Sequence, residues 1–433
     1  MVRQDKLTAA LKIVSAFIDS LTKAETLSED RRFDLFFSRA DEGTLFLDRE
    51  KSREYEDCLR ALWEVVSSGE QISLRAVEGL FQNAIFEALD IKKKRTPEFN
   101  VRLDQALREL RFRLTAAPQR YLVYCPLNGL ASEGLPSKVG NLEFVVFGDK
   151  QLDLFRDAVA KHKVDEQQLE MRRRVLKDLQ QDKELMGHVV GAVEVTAVDG
   201  RAAESLATRE LRLAIDVVNF YSDLIPYNYA HLSLPGDADA ARVVIPQLAV
   251  EGSQQSSFSI NHTRWGRLGE LSLPKLWELD SRRNLGFSHV AKLLGAQRND
   301  LEDKILASVQ WAGRAAAEIR KEAAFLLYAI GLETMVLSDN NPIELTYRLR
   351  MRTAHLLASD VGSRRDLFSK LGKLYDIRSE IVHNGRYQVT DADLSLLRSI
   401  TKSALIRICT GNEFRSISSG KELGEWFQDR ILE

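Results

Sequence analysis

The segment Leu374-Tyr-Asp-Ile-Arg-Ser-Glu-Ile-Val-His-Asn-Gly385 closes a helical pattern that begins at about residue 363. Apolar residues recur along this pattern at spacings of three and four, which is typical of one face of a packed helix. The face consists of Leu367, Leu371, Leu374, Arg378 and Ile381. Gly385 favours a helix end, because glycine readily adopts the left-handed conformation found there. The pattern therefore predicts a helix over residues 363–384 with one arginine on its core-facing stripe.

That arginine, Arg378, lies five residues before His383. A cation on a buried stripe is costly unless it is paired or meets an anionic ligand. Histidine can move a proton near neutral pH, so the two side chains could together hold a phosphate and cleave beside it without a metal. Residues at i and i+5 lie about 140° apart on an ideal helix. Convergence would need the length of Arg378, local unwinding at Gly385, or pairing across a symmetric dimer.

The spacing of the pair is weak support by itself, because four of the seven histidines have an arginine five to seven residues upstream. These pairs are Arg156/His162, Arg283/His289, Arg350/His355 and Arg378/His383. Only the last has its arginine on an apolar stripe. The helix that contains Arg350 also contains Arg348 and Arg352, which is typical of an exposed basic face. A structural arginine beside a histidine at a helix C-terminus is the alternative interpretation.

Helical patterns fill the C-terminal quarter of the chain and predict a four-helix domain over residues 298–412, followed by a C-terminal tail at 413–433. Its segments are Asp300–Leu337, broken or bent once, and helices at 342–358, 363–384 and 391–410. Glu333 lies inside an apolar run. We expect it to form an ion pair with an arginine, for which Arg378 is the candidate, and the pair could also fix the direction of that arginine.

The rest of the chain predicts two further regions. Residues 1–117 are rich in helical patterns, with one short strand-like stretch at Thr44–Leu47. The patterns in residues 118–297 predict a mixed α/β domain, for which a sensing or regulatory role is one possibility. Its helices are expected at about 150–186 and 201–224, and its strands at Arg120–Cys125, Leu142–Phe147, His188–Thr196 and Ala241–Ile245. The expected fold class is therefore α+β and mainly α, with an N-terminal helical region, a mixed α/β middle domain and a C-terminal four-helix bundle.

Composition narrows the function classes. The 433 residues are 44% hydrophobic and 29% charged with a formal net charge of −2, which fits a globular protein of two or three domains and excludes a uniformly polycationic surface. Three scattered cysteines argue against a disulfide framework or a zinc site. No Walker, Rossmann, HExxH or nucleophile-elbow motif occurs. We expect a cytoplasmic protein with no cofactor and no membrane partner, since the stretch Ala323–Leu332 is about half a membrane span.

The segment 374–385 resembles the signature of HEPN domains, especially the Apea-like group. The hallmark of that family is an arginine, four to six residues, and then a histidine near a helix end. Upstream, Phe325-Leu-Leu-Tyr-Ala-Ile-Gly-Leu-Glu333 and the segment Glu344–Leu357 resemble earlier helices of the group. The resemblance covers about residues 300–410 and does not extend to the first 290. It implies that the C-terminal bundle is HEPN-like.

Many HEPN proteins are metal-independent ribonucleases that act as dimers, often in phage defence or toxin systems. The resemblance therefore implies a composite site with Arg378 and His383 from each protomer. His383 would be the general acid or base for attack of the ribose 2′-OH on the adjacent phosphate, and Arg378 would hold that phosphate. Two positions depart from the family: Ser379 replaces the Asn, Asp or His of some members, and Tyr387 follows the histidine by four residues, whereas the toxin subgroup has Tyr two residues after it.

Further candidates surround the pair. Residues 345–373 carry seven positive and two negative side chains, a local charge of +5 that would attract a phosphate backbone, although a solvated helix face is the alternative. The supporting candidates are Glu333, Ser379 and Asn384, and the substrate-binding candidates are Arg348, Arg352 and Arg386. Expected partners are RNA and a second copy of the chain, with a phage-derived or nucleotide activator left open. A non-catalytic RNA- or nucleotide-binding module and a dimerising scaffold remain alternatives to the ribonuclease.

Overall fold

The computed structural model describes most of the chain between residues 4 and 432. The description leaves out residues 24–34, 40–42, 67–70, 90–97, 116, 162–165, 184, 226–229, 236–241, 250–256, 265–269, 340–343 and 386–387. The chain divides into two compact units. The first consists of Met1–Val123 and Glu194–Thr208, and the second of Tyr124–Val193 and Arg209–Glu433. The protein is mainly helical, as expected from the sequence, and it contains a small four-stranded sheet.

Helices and one β-hairpin make up most of the first unit. The elements are α1 (Gln4–Lys23), β1 (Leu35–Arg39), β2 (Gly43–Leu47), α2 (Arg49–Val66), α3 (Leu74–Ala88) and α4 (Phe99–Leu114). The strand predicted at Thr44–Leu47 is β2, which pairs antiparallel with β1. The aromatic core stacks Tyr55 on Phe81, with ring centroids 5.0 Å apart. Burial of such rings contributes much of the stability of a small helical core.

A four-stranded sheet occupies the middle of the chain in the order β3-β6-β5-β4. Its strands are β3 (Gln119–Pro126), β4 (Ser137–Val139), β5 (Leu142–Val146) and β6 (Val189–Ala197), so three of the four predicted strands belong to it. The fourth is β7 (Arg242–Ala249), which forms an antiparallel hairpin with β8 (Ser257–Arg264). The helices are α5 (Asp149–Lys161), α6 (Glu166–Gln181), α7 (Gly200–Ser222), α8 (Leu273–Arg283) and α9 (Phe287–Leu293). The helix predicted at 150–186 is therefore two helices, α5 and α6.

The C-terminal helices agree closely with the sequence patterns. They are α10 (Asp300–Ala317), α11 (Lys321–Val336), α12 (Leu345–Leu357), α13 (Val361–Asn384), α14 (Asp391–Thr410) and α15 (Gly420–Leu432). The predicted break in 300–337 separates α10 from α11. Side-chain caps fix several starts: Asn299 forms a capping box with Glu302, and Asp360 accepts from the Ser363 N–H.

The residues predicted to form a C-terminal tail contain α15, which is a packed helix. Leu423 and Phe427 are fully buried, and Trp426 contacts Phe414 with ring centroids 4.8 Å apart. α15 lies against α10 and α12, so it completes the bundle. None of the helices in the described ranges combines the length and apolar character needed to cross a membrane.

Candidate functional site

Arg378 lies on the stripe that the sequence predicts, between the buried Leu374 and the half-buried Ile381. Its Nε is 3.2 Å from Oε1 of Glu333 on α11, and its Nη2 donates to Oε2 at 3.5 Å. The predicted pairing with Glu333 is confirmed. The side chains of Arg378 and Glu333 are 32% and 25% exposed, so the arginine is anchored to the core and still reaches solvent.

Tyr375 lies beside this ion pair and was missed by the sequence analysis, although it precedes Arg378 by three residues and so shares its face of the helix. It is buried, and this burial, followed by the negative charge of Glu333, raises the pKa of its hydroxyl well above the ordinary value. The hydroxyl has no hydrogen-bond partner of standard geometry within the described ranges. Tyr375 is therefore a neutral phenol against which the Glu333–Arg378 pair packs.

His383 is exposed in the last turn of α13. The helix stays regular as far as Asn384, and Gly385 ends it with φ +64° and an N–H bonded to the Ile381 carbonyl at 3.1 Å. Local unwinding before Gly385 does not occur, so the ideal angle of about 140° between positions five apart applies. Within one protomer the imidazole and the guanidinium thus lie on different sides of the helix.

Ser379 and Asn384 lie on exposed positions of α13, the helix that carries Arg378 and His383. Ser379 directly follows Arg378. The Asn384 amide donates to a carboxylate oxygen of Glu380 one turn earlier. That bond stabilises the last turn of α13 and engages the amide with Glu380.

Arg352 is not part of an exposed basic face, and that expectation was wrong. Arg352 is only 3% exposed, and its guanidinium donates to the Val336 carbonyl at 2.9 Å and to Asp339 at 2.7 Å. Arg348 binds the same carboxylate. A buried guanidinium needs such partners to offset its lost hydration. We therefore treat both arginines as parts of an Asp339 clamp that holds α12, and remove them from the candidate substrate-binding set.

Local contacts also engage several cations of the positively charged strip, residues 345–373. Arg350 stacks over the Phe368 ring at 3.8 Å from its centroid and donates to the Phe368 carbonyl. Lys370 pairs with Asp366 at 2.7 Å. Of the strip's cations, Arg365 and Lys373 are exposed and make no such contact among the described residues. Arg386, the remaining substrate-binding candidate, lies outside the described residues, as does His162 of the Arg156/His162 pair.

The site thus consists of an anchored cation and an exposed imidazole at one end of α13. A guanidinium has five N–H donors. Nη2 of Arg378 donates to Glu333, and Nε lies 3.2 Å from the same carboxylate, so further donors remain for a phosphate. Within the described ranges, no group of three or more His, Cys, Asp or Glu side chains is placed to hold a metal ion.

Comparison of the chain with protein-family models, with curated proteins and with solved structures found no match. The resemblance to HEPN domains therefore rests on the residues of the chain itself.

Proposed function

We propose that this chain is a metal-independent endoribonuclease whose active site forms from Arg378 and His383 of two copies. The observation that carries the proposal is the position, pairing and exposure of Arg378. It occupies a core stripe position, is fixed by Glu333 and keeps 32% of its side chain exposed, in the helix end that also presents His383. A purely structural arginine would be expected to use its donors within the core, as Arg352 does.

The reaction needs one proton acceptor, one proton donor and a cation at the phosphate. One His383 removes the proton from a ribose 2′-OH, and the 2′-oxygen forms a bond to the adjacent phosphorus. The bond from phosphorus to the 5′-oxygen breaks, and the second His383 protonates that oxygen. The products are a 2′,3′-cyclic phosphate and a 5′-hydroxyl. Arg378 stabilises the negative charge that develops on the phosphoryl oxygens.

Two copies are required because one protomer separates the two side chains around α13. A twofold axis beside the end of the helix would place Arg378 of one copy near His383 of the other. Glu333 supports this arrangement because it fixes the guanidinium, and precise geometry is what a transferring phosphate needs. The family resemblance supports an anti-phage defence or toxin-type role for such an activity.

The experiment that tests the proposal is incubation of the purified protein with end-labelled single-stranded RNA in the presence of EDTA. We expect discrete cleavage products, because neither His383 nor Arg378 needs a metal for its role. RNA binding without cleavage would instead favour a non-catalytic binding module. The absence of both RNA binding and RNA cleavage would favour a dimerising scaffold.

We expect the chain, whose mass is 49.0 kDa, to sediment as a dimer at micromolar concentration. Val382, beside His383, is 50% exposed and supplies apolar surface at the end of α13. Val382→Glu should shift the protein to monomer and remove RNA cleavage, since a charge in an apolar contact is costly. Val361→Glu is the matched control, because Val361 is 60% exposed at the opposite end of the same helix. A wild-type monomer, or equal effects of both variants, would contradict the composite site.

A further inference from the structure

A cavity of about 620 Å³ lies among the ends of α12, α14 and α15. Its wall includes the backbone from Leu356 to Ser359, where α12 ends. The side chains that give it chemical character are His355, Arg407, Glu413, Trp426, Asp429 and Arg430. Small-molecule sites commonly measure about 300–1,000 Å³. The cavity is therefore large enough for a drug-sized ligand with both polar and aromatic parts.

This cavity is separate from the candidate site for RNA cleavage. Ser359 and Ala358 lie just before the first residue of α13, Val361, whereas Arg378 lies near the last turn of that helix. At a rise of 1.5 Å per residue, the helix from Val361 to Arg378 spans about 25 Å. A ligand in the cavity would thus leave the Arg378 end of α13 accessible.

The cavity wall contains two guanidinium groups, from Arg407 and Arg430. Arg407 is positioned in advance, because it pairs with Glu413 and its guanidinium lies 5.9 Å from the centroid of the Phe414 ring. Its side chain is still 48% exposed. Guanidinium groups bind phosphate oxygens through paired N–H donors, which are short and strong when both partners are charged. This part of the wall favours a phosphorylated ligand.

An indole, an imidazole and a carboxylate complete the wall. Trp426 is half-buried, and edge contacts to Phe414 and Phe427 hold its ring in place. A fixed indole is a good platform for stacking a nucleobase. The Nδ1–H of His355 donates to the Met351 carbonyl at 2.9 Å, so Nε2 is the ring nitrogen that remains for a ligand. The Asp429 carboxylate is a hydrogen-bond acceptor, which suits ribose hydroxyls or an exocyclic amine.

We propose that this cavity binds a free nucleoside phosphate, with the phosphates on Arg407 and Arg430 and the base on Trp426. Each chemical part of a nucleotide has a matching group in the wall: donors for the phosphates, an aromatic face for the base, and acceptors for the sugar. This site is independent of the proposed cleavage of RNA, since its test measures binding alone. A ligand here contacts α12, α14 and α15 together and would therefore stabilise the packing of α15.

Isothermal titration of the full chain with each of the four ribonucleoside triphosphates tests the proposal. We expect at least one to bind, and Arg430→Gln to weaken that binding about tenfold or more, because a hydrogen bond to a charged group is lost. Lys421→Gln is the matched control, with the same loss of charge on an exposed position of α15. Trp426→Leu should also weaken binding, and Trp426→Phe should retain most of it. If Trp426→Leu does not fold, the Arg430→Gln measurement decides alone.

Four results would overturn the proposal. The first is that none of the triphosphates binds at about 1 mM. The second is that inorganic pyrophosphate binds as tightly as the best nucleotide, which would mean that the wall recognises only an anion. The third is that Arg430→Gln binds nucleotide as tightly as Lys421→Gln does. The fourth is that a 5′-phosphorylated RNA oligomer binds at this site and free nucleotides do not, which would make the ligand an RNA end.

Discussion

Arg378→Ala and His383→Ala are each expected to remove nearly all RNA cleavage in EDTA while leaving the fold intact. Loss of a positioned general acid or base costs about 10²- to 10⁴-fold in rate, and loss of a group that stabilises developing charge costs about 10²- to 10³-fold. Both side chains are at least partly exposed, so their removal opens no core cavity. Rates of single-turnover cleavage of labelled RNA measure the effect, and circular dichroism checks the fold.

The chain contains its own control for these two variants. Arg283 and His289 are both exposed and six residues apart, and neither belongs to the proposed site. Arg283→Ala and His289→Ala should cleave RNA at the wild-type rate. Arg378→Lys retains the charge but loses the planar donor fork, so we expect an intermediate rate. Wild-type rates for both Arg378→Ala and His383→Ala would remove the pair from the mechanism.

Asp339→Ala is expected to destabilise the C-terminal helices more than any surface substitution. The carboxylate of Asp339 binds both Arg348 and the buried Arg352, and its loss leaves the Arg352 cation with the Val336 carbonyl as its hydrogen-bond acceptor among the described residues. Removing one partner of a buried ion pair costs about 3–5 kcal/mol. Urea unfolding followed by circular dichroism, with hydrogen exchange on α12, would measure the loss.

Asp366→Ala is the matched control for Asp339→Ala. Asp366 pairs with Lys370 at 2.7 Å, but its side chain is 62% exposed, and exposed pairs contribute about 0–1 kcal/mol. Equal destabilisation by the two variants would contradict the clamp.

The clamp also predicts a dependence of stability on pH. Burial acts to raise the pKa of Asp339, but hydrogen bonds and charges from Arg352 and Arg348 outweigh it, so the pKa is lowered overall. A carboxyl group with a lowered pKa in the folded state stabilises the protein above its unfolded pKa, and this stability is lost as pH falls through the folded value. Asp339→Asn should therefore lose less stability between neutral and acidic pH than the wild type does.

Local patterns predicted the helices around the site because their signals are short-range. The range predicted for α13, 363–384, differs from the observed Val361–Asn384 at its start, where Asp360 caps the helix two residues earlier than expected. Gly385 ends it as predicted, in the left-handed conformation. The Glu333–Arg378 pair was predictable as well, because a carboxylate within one apolar run and a cation within another each need a partner.

The burial of Arg352 could not be predicted, because it depends on distant parts of the chain. The segment Leu345–Leu357 alternates arginines with apolar residues, and nothing local distinguishes the buried cation from its neighbours. Asp339 from the preceding segment and Phe427 from α15 supply its environment. Since α15 was itself expected to be a tail, that environment could not be inferred. For the same reason the cavity beside Trp426 could not be predicted, because α15 supplies part of its wall.

The chemistry of the RNA ends tests the central claim most directly. RNA cut by the wild-type protein in EDTA should carry a 2′,3′-cyclic phosphate and a 5′-hydroxyl, and a single 2′-deoxy substitution at the mapped position should block the cut. These results follow from attack by the neighbouring 2′-oxygen, with proton transfer by His383 and charge stabilisation by Arg378. Products with a 3′-hydroxyl and a 5′-phosphate, or cleavage that survives the 2′-deoxy substitution, would contradict that mechanism.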